Sequence, residues 1–369
     1  MMSPTITRLP RLRRGGCPRS IRRRTGCALA AFALPAALAS TQEPFTLGDA
    51  RCAAGARCRT TLTVPPLGAD TAVRLAVTVL RGARPGPVLA VTAGVHGGEY
   101  APMIAAQRLA RDIDPRQLGG TIVIVHVTNP VSFFGRGVYY TPTDGRNLNR
   151  TFPGRAEGTL SERTAHVVFH EVIRRADAYL DLHGGDANEA LRPYVATRLT
   201  GDSAFDARVR ALAVATGLDV LLETPVPSPV PDPPGTTTMA AAVHRIAGFT
   251  VEWGMLGRVD SSAVAGQVRA VLGVARALGM VPGRPPRGGR LRMAGSRTAT
   301  APVSGLVQTL VTLDQEVREG ERVAVISDLY GDWIADVLSP ATGRVIAFTA
   351  TPPVRAGEPV VAVAIPRNR

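Results

Sequence analysis

The chain has 369 residues, 45% hydrophobic and 20% charged. This balance excludes a wholly disordered or fibrous protein and predicts one large or two unequal globular domains. All 43 basic residues are arginine, and the formal net charge is +14. Eight arginines lie in the first 24 residues; without them the charge falls to +6 with no basic stripe, so we set nucleic-acid binding aside.

The first forty residues have the composition of a secretory signal. No acidic residue occurs before Glu43, and an apolar run from Cys27 leads to an Ala-x-Ala pattern at residues 37–39. We therefore predict a signal peptide over residues 1–39, export to the periplasm or medium, and no stable membrane span after cleavage. The apolar run is too short to cross a bilayer as a helix. A twin-arginine route and an uncleaved signal-anchor are the alternatives.

The positions of the cysteines are consistent with export. Cys17 and Cys27 lie in the leader, which leaves Cys52 and Cys58 across a glycine-containing turn. In an oxidising compartment this spacing favours a disulfide. Two unpaired thiols are the alternative.

A histidine and a glutamate stand at the end of a predicted central strand. Residues 60–64 and 72–80 are predicted strands that lead to it, and the apolar run 87–93 is the strand itself. His96 and Glu99 follow in a glycine-rich turn, and a helix is predicted from residue 102 to 113. An imidazole and a carboxylate at this spacing can point at one metal ion. A catalytic zinc site needs a third protein ligand and an open position for water.

That third ligand is predicted at His183, which follows a strand at residues 179–182 and precedes two glycines. Another strand is predicted at residues 121–127, so strand, helix and strand alternate as in a mainly parallel sheet. Loops at the carboxyl ends of such strands form sites. The remaining histidines are interpreted otherwise: His166 and His170 as an exposed helix face, and His126 as a hydrogen-bonded core residue.

Two further segments carry polar groups suited to a site. The loop over residues 131–154 is unusually long and contains Asn149 and Arg150; an arginine fork fits a carboxylate, and a solvated surface arginine is the alternative. A capping box at Thr159 and Glu162 then opens a helix.

Glu252 is the one acid in an apolar strand at residues 249–254, and beside a metal site it is suited to act as a general base. A solvated position at a sheet edge is the alternative.

Together these motifs resemble the succinylglutamate desuccinylase/aspartoacylase family. The resemblance rests on His96-x-x-Glu99, Asn-Leu-Asn149-Arg150-x-Phe-Pro-Gly, Asp-Leu-His183-Gly-Gly and Val-Glu252-x-Gly, in the family's order. It implies a zinc-carboxypeptidase-like α/β fold: a mixed sheet with helices on both faces.

Carried over to these positions, the resemblance implies that His96, Glu99 and His183 bind one Zn²⁺ and that Glu252 transfers protons. It implies that Asn149 and Arg150 bind a substrate carboxylate. The family's arginine for the carbonyl oxygen normally stands just before the Pro-x-Asp-Gly of the loop. Tyr139 and Tyr140 occupy that neighbourhood here, and the nearest preceding arginine, Arg136, is assigned the role.

The predicted function is zinc-dependent hydrolysis of the amide bond of an N-acyl amino acid or a related small carboxylate-bearing amide. An exported zinc carboxypeptidase, or a peptidoglycan-peptide amidase, is the alternative. A noncatalytic binding protein is a third class. It is disfavoured because the three predicted metal ligands and Glu252 are all present.

After residue 283 the composition changes. A Pro-, Gly- and Arg-rich segment at 284–290 predicts a boundary between a catalytic domain at 43–283 and an all-β domain at 290–369. Two similar passages, each followed by a Gly-Glu turn, resemble a lipoyl/biotinyl-like barrel-sandwich. Carrier domains of this kind need a lysine that can be modified, and the chain contains no lysine. We therefore predict that this domain has a structural role or shapes the substrate entrance.

Overall fold

The computed structural model describes residues 42–68 and 70–367, in which a long mixed sheet carries helices on both faces. The predicted signal peptide lies outside these residues. The helices are α1 (Tyr100–Asp112), α2 (Pro130–Phe134), α3 (Leu160–Glu171), α4 (Ser203–Val214), α5 (Thr237–Val243) and α6 (Ser261–Ala277). Short 3₁₀ turns lie at Pro115–Gln117, Leu148–Arg150 and Ile173–Arg175.

The strands fall into an N-terminal and a C-terminal group. The first is β1 (Phe45–Leu47), β2 (Ala50–Cys52), β3 (Arg57–Val64), β4 (Val73–Arg81), β5 (Arg84–Ala93), β6 (Gly119–Val125), β7 (Ala178–His183), β8 (Glu189–Leu191), β9 (Tyr194–Leu199), β10 (Val220–Pro225) and β11 (Ala247–Glu252). The second is β12 (Leu291–Thr300), β13 (Gly305–Thr309), β14 (Glu316–Val317), β15 (Arg322–Ser327), β16 (Trp333–Leu338), β17 (Gly343–Thr349), β18 (Pro353–Val354) and β19 (Pro359–Pro366).

Four parallel strands form the centre of the large sheet, in the order β6, β5, β7, β11. Every residue of β6 and β7 is buried, which explains the nearly continuous apolar run in β6; β7 also buries Asp181 and His183. β4 pairs antiparallel with β6 on one side, and β9 pairs antiparallel with β11 on the other. The mixed α/β sheet predicted from the sequence is confirmed.

The alternation of side chains along β5 explains the two helical layers. Leu89 and Val91 point into a core built with α1, α4 and α6, whereas Ala90 points into one built with α3 and α5. Successive strand residues face opposite sides of a sheet, so helices are needed on both. The capping box of α3 forms as predicted: Thr159 accepts from the Glu162 amide, and the Glu162 carboxylate accepts from the Thr159 amide.

The C-terminal region continues the same large sheet. β12 pairs parallel with β10 and antiparallel with β19, and β17 and β14 follow. β13, β15, β16 and β18 form a separate antiparallel sheet of four strands. A valine-rich core lies within this region. The predicted all-β character is confirmed, while the division into two domains stays a prediction.

Two smaller features bear on the sequence predictions. Cys52 and Cys58 are joined in a disulfide with a Cα–Cα distance of 5.7 Å. Within the described part of the chain, no helix is both long and apolar enough to cross a membrane.

Glu223 of β10 links the large sheet to Arg367 near the end of the described residues. Its side chain is 1% exposed and pairs with Arg210 of α4, Arg292 of β12 and Arg367. Burial alone would raise the pKa of Glu223, but Arg292 and Arg210 outweigh it and hold the pKa below its usual range.

We expect Glu223→Gln to lower the free energy of unfolding by roughly 1–3 kcal/mol, because three arginines lose their carboxylate; their partial exposure keeps the loss below that of a fully buried pair. Because the folded-state pKa is depressed, the stabilisation is present above the unfolded-state pKa and is lost as the pH falls through the folded-state value. Thermal unfolding of both proteins between pH 3 and 7 measures this. Equal melting temperatures throughout would contradict it.

Candidate metal centre

The carboxyl ends of β5, β7 and β11 bring three sequence motifs to one edge of the sheet. β5 and β7 are parallel with Ala93 opposite Leu182, so the turn after β5 lies beside His183, the last residue of β7. β11 is parallel to β7 with Glu252 opposite His183. In open α/β sheets, ligands bind outside this edge.

His96, Glu99 and His183 form a buried cluster there. Glu99 Oε1 lies 2.6 Å from His96 Nδ1, and Glu99 Oε2 lies 2.9 Å from His183 Nδ1. One potential ligand atom from each residue lies within 4.8 Å of the others. The residues are 7%, 4% and 2% exposed, respectively. Among the described residues, this is the one group of three or more His, Cys, Asp or Glu side chains that meets this spacing.

The glycine-rich turn after β5 makes this arrangement possible. Gly94 has φ +67°, a left-handed conformation that favours glycine. A Cβ on Gly97 would stand 2.5 Å from the backbone of Ser132, so only glycine permits this approach. Glu99 occupies the N-cap position of α1 but makes no side-chain cap hydrogen bond. Its carboxylate is therefore directed at the two imidazoles.

The outward nitrogens of both histidines have partners of their own. His96 Nε2 lies 3.2 Å from Asn147 Oδ1, and His183 Nε2 lies 2.9 Å from Asp181 Oδ2. Asp181 is fully buried and also accepts a 2.5 Å hydrogen bond from the Thr237 hydroxyl. Such contacts fix ring orientation and direct the opposite nitrogen to a metal. Asn147 was not singled out in the sequence because its role depends on the fold of the long loop.

The charges of the cluster fit a divalent cation. Burial alone would raise the pKa of Glu99, but the charges of His183 and His96 outweigh it and lower the pKa to about 2. Two imidazole nitrogens and one ionised carboxylate are the ligand types that zinc takes in catalytic sites. The residues therefore fit a zinc ion held by His96, Glu99 and His183.

Glu252 lies beside the cluster without a hydrogen bond or ion pair to the described residues. Burial raises its pKa well above the usual value, and the charges of Glu99 and Glu189 add to this, while that of His183 opposes it. A carboxyl group in this environment is suited to accept and return a proton.

Of the predicted substrate-binding pair, Asn149 lies next to His183, whereas Arg150 is exposed. Asn149 is 8% exposed; its Oδ1 accepts from the Thr237 amide at 3.0 Å, and its Nδ2 lies 3.5 Å from His183 Nε2. Arg150 donates to the Asn149 carbonyl. The structure adds Arg198 of β9, which the sequence analysis missed: it forms no ion pair with the described residues, and burial and the charge of Arg150 lower its pKa. Two neighbouring arginines without carboxylate partners can receive an anionic ligand.

A cavity of about 590 Å³ adjoins the cluster. On the catalytic side it is lined by Tyr139, Glu189 and Tyr194, and on the other by residues of β12, β17 and β19. The Tyr139 ring meets the His96 ring edge-on with centroids 5.1 Å apart. Tyr194 lies opposite Glu252 in the pairing of β9 with β11. The C-terminal region thus contributes one wall of the space beside the candidate metal centre.

The structure does not bring Arg136 to the cluster. Its exposed side chain lines a different cavity of about 1090 Å³, together with residues of β3, β4 and α1. None of the metal-ligand candidates lines either cavity, but the 590 Å³ cavity includes Tyr139, whose ring meets that of His96. The role assigned to Arg136 stays a prediction without a supporting contact.

The remaining histidines lie apart from the cluster. His126 is partly buried, and its Nε2 lies 2.8 Å from the Thr78 hydroxyl, in agreement with a hydrogen-bonded histidine. His166 and His170 are half-buried on α3 rather than on an exposed face, with ring centroids 4.3 Å apart and ring planes inclined at 43°.

A buried His-Glu-His set at the carboxyl edge of a mixed α/β sheet places this chain in a metallohydrolase-like class. Its sequence matches the succinylglutamate desuccinylase/aspartoacylase catalytic domain over residues 85–278, more than half of the chain. The chain belongs to this family.

One curated relative and two solved structures refine the comparison. N-alpha-acetyl-L-2,4-diaminobutyric acid deacetylase from Halomonas elongata is 33% identical over 147 residues, which are 40% of this chain and 42% of that protein. The match thus spans less than half of the curated relative. A succinylglutamatedesuccinylase/aspartoacylase from Rhodobacter sphaeroides is 26% identical with a TM-score of 0.75, covering 85% of this chain and 96% of that one.

The ectoine utilization protein EutE (DoeB) from Ruegeria pomeroyi has a TM-score of 0.77 at 23% identity, covering 88% of this chain and 99% of that one. At this identity the likeness establishes the fold alone.

Proposed function

We propose that this protein is a zinc-dependent deacylase that hydrolyses the amide bond of an N-acyl amino acid. The observation that carries the proposal is the buried His96, Glu99 and His183 cluster with an unpaired carboxyl group, Glu252, at its side. The relative from Halomonas elongata supports the substrate class, because its name describes removal of an acetyl group from an amino acid.

In the proposed mechanism, zinc held by the cluster would polarise the scissile carbonyl and lower the pKa of water. Glu252 accepts the proton of the attacking water and returns a proton to the leaving amine. Arg150 and Arg198 hold the substrate carboxylate and so align the amide. Burial, the charges of Glu189 and Asp186 and a side-chain hydrogen bond to Asp186 raise the pKa of Tyr139, so its hydroxyl stays protonated beside His96.

We also propose that the enzyme is exported and that its C-terminal region forms a domain that shapes the substrate entrance. The leader-like composition of residues 1–39 and the Cys52–Cys58 disulfide support an oxidising compartment. The residues of β12, β17 and β19 around the 590 Å³ cavity support the second point.

Product release from a panel of compounds tests the activity. The zinc-loaded protein is incubated with N-acyl amino acids and with C-terminally free peptides of three or more residues. Release of an acyl acid and an amino acid from the first group is expected. Release of C-terminal residues from the peptides alone would contradict the deacylase proposal and indicate a carboxypeptidase.

Arg198→Met should raise KM for an N-acyl amino acid at least about tenfold with a smaller change in kcat, because a carboxylate contact present in both ground state and transition state acts mainly on binding. The first control is the same measurement on a matched amide that lacks the carboxylate. The KM for this compound should be the same in wild type and in Arg198→Met. Arg245→Met, at an exposed arginine that pairs with Asp202, is the second. An unchanged KM in Arg198→Met would remove this residue from the carboxylate site.

A further inference from the structure

Glu189 is a carboxylate in the cavity beside the candidate metal centre that the proposed reaction does not use. It is the first residue of β8 and lines the 590 Å³ cavity with Tyr139 and Tyr194. In the described part of the chain it forms no side-chain hydrogen bond and no ion pair. Burial and the charges of Asp186 and Glu99 raise the pKa of Glu189 to about 8. Among the described residues, no positive side chain pairs directly with the Glu189 carboxylate.

Asp186 is a second acid with unmet bonding capacity at the same place. It is fully buried; its Oδ1 accepts from the Asn188 amide at 2.7 Å, whereas its Oδ2 has no partner among the described residues. A Cβ on Gly98 would stand 3.5 Å from both Asp186 and Val138. Asp186 thus lies against the wall formed by Val138 and Tyr139, which bounds the cavity. Its charge raises the pKa of Tyr139 as well as that of Glu189.

The turn that carries both acids is fixed from the C-terminal region. The Ala350 amide donates to the Asn188 carbonyl at 2.7 Å, and the Thr351 hydroxyl donates to Asn188 Oδ1 at 3.0 Å. β8 then pairs with β17, with Glu189 opposite Thr349. These contacts hold the backbone of the turn in place, and Asp186 is fully buried, so the arrangement of the two acids is largely preorganised for a ligand.

A cationic ligand group would satisfy this arrangement. A fully buried carboxylate oxygen without a partner, as at Asp186, is costly, and an ammonium group offers three donors and a positive charge to the half-buried Glu189 in front of it. The charge of His183 opposes the rise in the pKa of Glu189, but His183 belongs to the metal cluster. The arginines of the site, Arg150 and Arg198, are assigned to the substrate carboxylate.

We propose that Glu189, with Asp186 behind it, binds a primary ammonium group of the substrate, so that the enzyme selects N-acyl amino acids with a positive charge close to the scissile amide. This inference rests on the proposed deacylase function and names its substrate class. The ammonium can belong to the amino acid, as in a diamino acid, or to the acyl group, as in a glycyl amide.

Two matched pairs of substrates test the proposal and separate the two sources. The first is N-α-acetyl-2,4-diaminobutyrate against N-acetyl-2-aminobutyrate, and the second is N-glycyl-2-aminobutyrate against N-acetyl-2-aminobutyrate. We expect the wild-type enzyme to favour the charged member of one pair by at least about tenfold in kcat/KM, and Glu189→Gln to reduce that preference to near unity. Glu358→Gln is the matched control, since this carboxylate lines the same cavity but accepts from the Arg355 amide; it should retain the preference.

A wild-type ratio near one in both pairs, or a preference that survives in Glu189→Gln, would overturn the proposal. Absence of hydrolysis of all these compounds would contradict the deacylase function instead. In that case the intact compounds serve as ligands, and titration calorimetry on wild-type and Glu189→Gln protein decides the inference. Tighter binding of a charged member, lost in the variant, would support it; equal binding of charged and uncharged members would overturn it.

Discussion

Replacing Glu252 with glutamine is expected to lower kcat for an N-acyl amino acid at least about a hundredfold while bound zinc is retained. The amide has nearly the shape of the carboxyl group but cannot accept and return a proton, and positioned general acid–base groups contribute 10²–10⁴-fold. Glu252 stands opposite His183 in the sheet but is not a member of the ligand cluster. Its loss therefore separates proton transfer from metal binding.

The measurement pairs steady-state kinetics with elemental analysis of the purified variant. Glu171→Gln, at a carboxylate that pairs with Arg175 on the surface of α3, controls for the loss of an acid in general and should keep full turnover. Zinc content equal to wild type together with turnover within a few-fold of wild type would exclude Glu252 as the general base.

The metal-ligand candidates were predictable because their signals are local. His96 and Glu99 follow the end of β5 in a glycine-rich turn, and His183 ends β7 directly before two glycines. Parallel strands place their carboxyl ends at one edge, so each motif could be assigned to the same place without a contact map. Glu252 ends β11, which is parallel to β7, so the same rule places it beside His183.

The residues that the sequence did not reveal depend on long-range contacts. Arg198 lies on β9, a strand that runs antiparallel to β11 and so departs from the strand-helix-strand pattern. Asn147 reaches His96 across the long loop, and Glu189 is held by pairing of β8 with β17, far along the chain. None of these pairings has a periodic signal. They become visible only once the sheet order is known.

The long loop also explains why Arg136 was assigned to the site. It precedes the Pro-x-Asp-Gly segment in sequence, which is where the family resemblance places an arginine, but α2 (Pro130–Phe134) and the turn after it direct Arg136 to the 1090 Å³ cavity. Tyr139, three residues later, is the one that contacts His96. The role assigned to Arg136 stays a prediction, because the short helix interrupts the loop and the side chain lines the other cavity.

Replacing Glu99 with glutamine is expected to remove zinc and turnover together, in contrast to the variant at Glu252. Glu99 contacts the inner nitrogens of both His96 and His183, so the variant leaves two neutral imidazoles and no anionic ligand in the predicted set. Changes in the groups that merely orient ligands cost 10–100-fold in metal affinity. Loss of the anionic ligand itself should lower the affinity for zinc at least about a hundredfold. Competition with a chromogenic chelator measures this affinity.

Glu223→Gln provides the matched control for this experiment, because Glu223 is as deeply buried as Glu99 but lies at the junction of β10 and β12. It should melt at a lower temperature than wild type yet bind zinc with wild-type affinity. Zinc that binds only to the folded protein raises its melting temperature, and this rise should persist in Glu223→Gln and shrink in Glu99→Gln. Wild-type zinc affinity in Glu99→Gln would show that the cluster is not the metal site, whatever happens to turnover.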